Sequence, residues 1–240
     1  MFSSVSYRVA ALLTVVVFML LVNLGVWQFG RGQDKLQIEH QLASRAQLPY
    51  LPITEFIDSE MEITGFNAKA NIVQAENRLI FLDNQVDASG VGYLVYQLVR
   101  TLDSERFLLV ELGFVPAGPR RHQLPEVPVR IESGIILGRL YKRSANPLSS
   151  DLMAEKMIGL RIQNLNFEQL ESELKVALYP FALQPDNLDN WPLVQPWKPL
   201  PMSSAKHFGY AFQWAVMAIV WLVLMLALFF RKMATIRRES

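Results

Sequence analysis

The chain of 240 residues contains no cysteine. That excludes a disulfide framework, a thiol nucleophile, a Cys-ligated zinc site and an iron–sulfur cluster. Histidine is almost as scarce, with three in all: His40, His122 and His207. No two of them stand at ligand spacing, so a zinc signature of the H-E-x-x-H type is absent. Charge is sparse as well. Only 19% of residues are charged and the net charge is +1, which gives no reason to expect nucleic acid as a partner. There is no G-x-S-x-G elbow, no Walker A loop and no dinucleotide fingerprint. Asp83 and Asp87 flank Asn84 ahead of a glycine, like the start of a calcium loop, but the rest of that pattern fails. Turn formation is the expected role of Asp83-Asn84 and of Ala88-Ser89-Gly90. The nucleophile–base set needed for covalent chemistry is not visible, so the expectation is that the protein is not an enzyme.

Apolar residues are abundant: 51% of the chain is hydrophobic and the mean hydropathy is +0.19. They concentrate in two charge-free runs, Val9–Gly30 of 22 residues and Phe208–Phe230 of 23, in which 38 of 45 residues are hydrophobic. The remainder is about 44% hydrophobic, ordinary for a globular domain. At ~1.5 Å per residue, each run forms a helix long enough for a hydrocarbon core of ~30 Å. The first run also has features of a cleaved signal peptide, but its core runs long and no clear A-x-A site follows. An uncleaved anchor is therefore expected.

Basic residues orient the two spans. Arg231, Lys232, Arg237 and Arg238 follow the second against a single acid, Glu239, and Arg8 precedes the first. Positive flanks stay in the cytoplasm. The segment Arg31–His207 carries 18 basic and 21 acidic residues, net −3, which fits translocation. Arg31, Lys35, Lys198 and Lys206 beside the spans are a local counter-signal. The expected order is a cytoplasmic tail 1–8, a transmembrane helix 9–30, an extracytoplasmic domain 31–207, a transmembrane helix 208–230 and a basic cytoplasmic tail 231–240. In a bacterium this is a multi-pass inner-membrane protein with a periplasmic domain.

Within the domain, the polar stretch from Arg31 to about Arg45 continues the first helix, and Leu48-Pro49-Tyr50-Leu51-Pro52 ends it. Strands are expected at Met61–Asn67, Arg78–Leu82, Gly92–Thr101, Arg106–Val115, Ile131–Tyr141, Met157–Ile162 and Val176–Ala182. The third and fourth form a hairpin around Asp103-Ser104-Glu105. Asn166 with Gln169 marks a helix start, and Phe167, Leu170 and Leu174 continue it at helical spacing. The segment 184–201 holds five prolines and two tryptophans and reads as a stiff linker back to the membrane. Trp191 and Trp197 suit lipid headgroups or packing on the domain equally well. The fold class expected is a membrane protein with two transmembrane α-helices flanking an antiparallel β-rich (α+β) domain, barrel-like if its strands close.

One ionisable group stands out. His207 opens the second span, with Tyr210, Ala211 and Trp214 on its helical face and Trp221 extending the stripe. A histidine at a membrane boundary above aromatic residues suits an axial ligand for haem iron; an interfacial hydrogen bond to lipid or water is the plainer role.

Four motifs combine. Gly25-Val-Trp27-Gln28-Phe-Gly-Arg31 with Lys35 resembles an L-G-x-W-Q-x-x-R…K exit from a first span. Asp83-Asn84…Gly90-Val-Gly92-Tyr93 resembles a D-N…G…G-Y segment. Leu108-Leu-Val110…Gly113-Phe114-Val115-Pro116 resembles an L-V-N-R-G-W-V-P strand. His207-Phe-Gly-Tyr210-Ala211-Phe-Gln213-Trp214 resembles an N-H-x-x-Y-A-x-Q-W entry to a second span. In this order they resemble the surfeit locus protein 1 family, over about Leu24 to Phe230, as a divergent bacterial-type member. The resemblance implies a cytochrome c oxidase assembly factor that helps mature the haem-bearing catalytic subunit. It implies contact with that subunit, with the bilayer and with the haem a synthesis machinery, and transient binding of haem a. Carried across, the family histidine falls on His207, with Tyr210, Trp214 and Lys206 as haem environment and no other metal site. Gly92 and Gly113 suit close backbone packing, and Trp27 suits the membrane interface. The chain departs from the pattern at Glu111, Leu112 and Phe114, where the family has Asn, Arg and Trp, and at Lys206, where it has Asn. Leu112 cannot hold a propionate as an arginine would, whereas Lys206 offers a point charge. Two other roles remain open: a protein–protein scaffold of the same assembly that binds no haem, and a two-span sensor of an extracytoplasmic ligand. The ten residues after Phe230 leave little room for the output domain a sensor needs.

Overall fold

A computed structural model describes residues 4–59, 61–118, 123–142 and 150–239. His122 and parts of both expected tails, residues 1–3 and 240, lie outside the described residues. Two compact units are present, Met1–Gln41 with Leu200–Ser240, and Leu42–Pro199.

The first unit is built from two long helices, α1 (Ser4–Arg45) and α3 (Ser204–Glu239). Both are long and apolar enough to cross a membrane. Over their most apolar 18-residue windows, 0% of the first and 6% of the second is buried within the protein. Apolar helices that bury so little of themselves in protein suit lipid as solvent. The polar stretch 31–45 does continue α1 without a break, as expected from the sequence.

The second unit is a sheet of eight strands: β1 (Leu51–Pro52), β2 (Asn67–Asp87), β3 (Gly90–Thr101), β4 (Ser104–Pro116), β5 (Gly134–Tyr141), β6 (Glu155–Lys156), β7 (Leu160–Ile162) and β8 (Leu178–Pro185). Pairings β2–β3, β3–β4, β4–β8, β8–β5 and β5–β2 return to their start, so five strands close a barrel. The sheet is mixed, which corrects the antiparallel expectation: β1–β2, β2–β7 and β4–β8 run parallel. The parallel β4–β8 contact seals the barrel, because the crossover through β5 and a short helix brings β8 back in β4's direction.

Strand bounds moved where propensity misleads. Met61–Phe66 forms turns, and β2 begins at Asn67 and runs for 21 residues. Its first half contains Asn, Lys and Ala, poor strand formers, yet Ala68, Ala70 and Ile72 alternate inward. Ile131 lies before β5; its N–H donates to Gln97 Oε1 at 2.7 Å. Asp83-Asn84 makes no turn between strands. Asn84 sits at φ 56° inside β2, at a register shift between Leu82 and Gln85, so the pair forms a bulge. Ala88-Ser89 is the two-residue hairpin turn.

Helix α2 (Phe167–Leu174) starts where the sequence placed it. Asn166 Oδ1 accepts the Gln169 N–H at 3.1 Å, but the Gln169 side chain turns outward to accept the Leu152 N–H at 2.6 Å. Leu170 and Leu174 are buried. They join an outer cluster with Leu94, Tyr96, Leu98 and Leu109, whereas Tyr93, Val95, Val99, Leu108 and Val110 belong to an inner cluster drawn from all five barrel strands. Successive strand residues thus bury on opposite faces, which is why β3 and β4 read as unbroken apolar runs.

The segment after β8 is a strap packed on the barrel. Val194 O accepts the Phe114 N–H at 2.7 Å, Trp191 Nε1 donates to Leu112 O at 2.6 Å, and Gln195 Nε2 donates to Glu111 O at 3.0 Å. The Arg139 guanidinium lies 4.0 Å from the Trp197 ring centroid. Both tryptophans therefore pack on the domain.

Candidate functional site

α1 and α3 run antiparallel, as the order of their contacts shows. Trp221 Nε1 donates to Thr14 O at 3.1 Å, Gly25 faces Trp214 and Ala211, and Gln28 meets His207. Further along, Phe29 and Phe208 pack at 5.5 Å between ring centroids. The Glu39 carboxylate then accepts the Ser204 N–H at 2.9 Å and the Ser204 hydroxyl at 2.6 Å. Gly25 and Ala211 let the helices approach closely, the usual device in lipid, where packing rather than water drives association. Glu39 supplies an anionic cap to the start of α3, where free N–H groups and the helix dipole favour negative charge.

His207 is partly buried in this seam. Its Nδ1 lies 2.8 Å from Gln28 Oε1. With the amide in this orientation its oxygen can only accept, so Nδ1 is the donor of the pair. Trp214 is partly buried in the same seam, while Tyr210 is 44% exposed and Lys206 is exposed. The stripe read from the sequence thus divides: His207, Ala211, Trp214 and Trp221 lie towards α1, whereas Tyr210 is exposed, as is Lys206 beside the stripe. An apolar groove of about 590 Å³ also lies between the helices, lined by residues including Val22, Phe29, Ala215 and Ile219. None of the four expected haem-contact residues lines it.

Among the described residues no group of three or more His, Asp or Glu side chains is placed to hold a metal ion. A bare ion would need such a set. A haem brings four nitrogen ligands of its own and needs only an axial one, a role that an imidazole oriented through its other nitrogen fits.

In the barrel, the departures gain a structural account. Glu111 is 3% exposed and accepts Gln184 Nε2 at 2.7 Å, while Gln184 Oε1 accepts Arg139 Nε at 2.8 Å. Burial lowers the Arg139 pKa, with Glu111 working in the other direction. Leu112 is fully buried in the inner cluster, the extra residue of a bulge between the Val95–Gly113 and Tyr96–Glu111 pairs.

A model of the SURF1 family matches residues 15–219, which takes in most of α1, the whole barrel and the first part of α3. The chain belongs to the SURF1 family. No curated protein matches it at a significant level. All four motifs of this SURF1 family member fall inside the matched range, and they meet in pairs: Gln28 of the first with His207 of the fourth, and Gly92-Tyr93 of the second with Val115-Pro116 of the third. Gln28 belongs to the first motif, but its role is not legible from the motif alone. The available signal was an amide inside an otherwise apolar run, where polar groups are costly. The Glu39–Ser204 cap and the Glu111–Gln184–Arg139 chain were also missed, because their partners lie 165 and 73 residues apart.

Proposed function

We propose that this SURF1 family protein is a membrane-anchored assembly factor for cytochrome c oxidase that assists haem a insertion into the catalytic subunit. The observation that carries this reading is the His207–Gln28 pair, in which Nδ1 is bonded to the amide and Nε2 is the nitrogen that iron would take, in a seam between two apolar helices. The family, known for cytochrome oxidase assembly, supplies the pathway. His207 would hold the haem iron through its ring, and Lys206 and Tyr210, exposed beside it on α3, would supply a charge and a hydroxyl to the haem's polar groups. Haem a supplies a redox-active iron centre as cargo, and no covalent step is assigned to this chain. Both termini lie in the cytoplasm and the barrel faces the outer compartment.

The test is to purify the full chain from cells that make haem a, record its absorption spectrum, and repeat with His207→Ala. Haem is expected in the first and lost in the second. Absence of haem from both, with the oxidase subunit still co-purifying, would identify a scaffold instead of a haem carrier.

A further inference from the structure

Gln28 presents its amide oxygen to the one imidazole nitrogen that iron would not use. We propose that Gln28 is a positioning residue: it sets the tautomer and ring plane of His207 and tunes its strength as an axial donor. This rests on the haem reading of His207 given above.

Three observations support it. First, the Oε1–Nδ1 distance of 2.8 Å is a full hydrogen bond, and His207 cannot rotate without losing it. Second, Gln28 is held on both sides by packed turns, with Gly25 against Trp214 one turn before and Gly32 against Phe208 one turn after. Third, the backbone of His207 is anchored independently, because Glu39 caps α3 at Ser204. A ring fixed by its own helix start and by a partner on the facing helix is an oriented ligand. Metal-bound histidines usually donate their second N–H to an oxygen acceptor, which raises their basicity, and a low dielectric strengthens that effect. An amide oxygen polarises the ring less than a carboxylate does. It therefore orients the ligand without driving it towards imidazolate, which suits a protein that must release its cargo.

The test uses the full-length protein with two variants of similar size, each checked for helix content by circular dichroism. Gln28→Leu removes the acceptor and Gln28→Glu replaces it with a stronger one. Gln28→Leu is expected to weaken haem a binding about 10- to 100-fold, the usual effect of losing such an outer partner. It should also raise the reduction potential of the bound haem. Gln28→Glu should keep wild-type affinity or better and lower the potential. Shifts of opposite sign around the wild type would not come from a merely structural role. Unchanged affinity and potential in Gln28→Leu, or shifts of the same sign in both variants, would overturn the inference while leaving His207 as ligand. Haem retained by His207→Ala would overturn the ligand assignment and this inference together.

Discussion

At the scale of single residues, Leu112 shows how a departure from family pattern is accommodated. The family places an arginine there, but in this chain the side chain is fully buried among apolar barrel residues. Leu112→Arg would bury a charge in that cluster and should cost about 3–5 kcal/mol, while Leu112→Met, similar in volume, should cost less than about 1.5 kcal/mol. Denaturant titration of the purified protein in detergent measures both. Its neighbour Glu111 points the other way, into the Gln184–Arg139–Trp197 chain of contacts. Opposite faces for adjacent strand residues follow from the period of two, but the sequence could not show which face is the barrel interior, because that is set only when the strands pair and close. Elsewhere Tyr50 donates to Asp186 Oδ2 at 2.8 Å, which raises its pKa by favouring the neutral phenol.

At the scale of elements, legibility followed local chemistry. The two long helices and the start of α2 were readable, since apolar length and an Asn166 cap act within a few residues. The first half of β2 was not, because its Asn, Lys and Ala residues become strand only through pairing with β5. The strap after β8 was misread as a linker for the same reason: its partners lie on β4. Gly113 makes that docking possible. It adopts φ +127°, and a Cβ there would come within 2.7 Å of Val194 O. Gly113→Ala should therefore cost about 1–3 kcal/mol and loosen the strap. The expected readouts are a lower denaturation midpoint, red-shifted tryptophan emission as Trp191 loses its bond to Leu112 O, and faster proteolysis within 186–199.

At the scale of the whole molecule, the absence of cysteine allows a direct test of orientation. Leu102, 69% exposed at the β3–β4 turn, and Met233, 49% exposed beyond the second apolar run, can each be replaced by a single cysteine. A membrane-impermeant maleimide should label Leu102→Cys in intact cells and Met233→Cys only after permeabilisation; the reverse pattern would invert the topology. What the sequence determined by itself was the division into two apolar spans and a β-rich domain, the β3–β4 hairpin and the family, all carried by composition, period and motifs along the chain. Only the tertiary structure decided that the sheet is mixed and closed, that the Pro-rich segment straps the barrel, and that Gln28 meets His207. These depend on contacts between distant residues, 207 positions apart for Thr14 and Trp221, made when the barrel closes and the helices pack, and no local pattern encodes them.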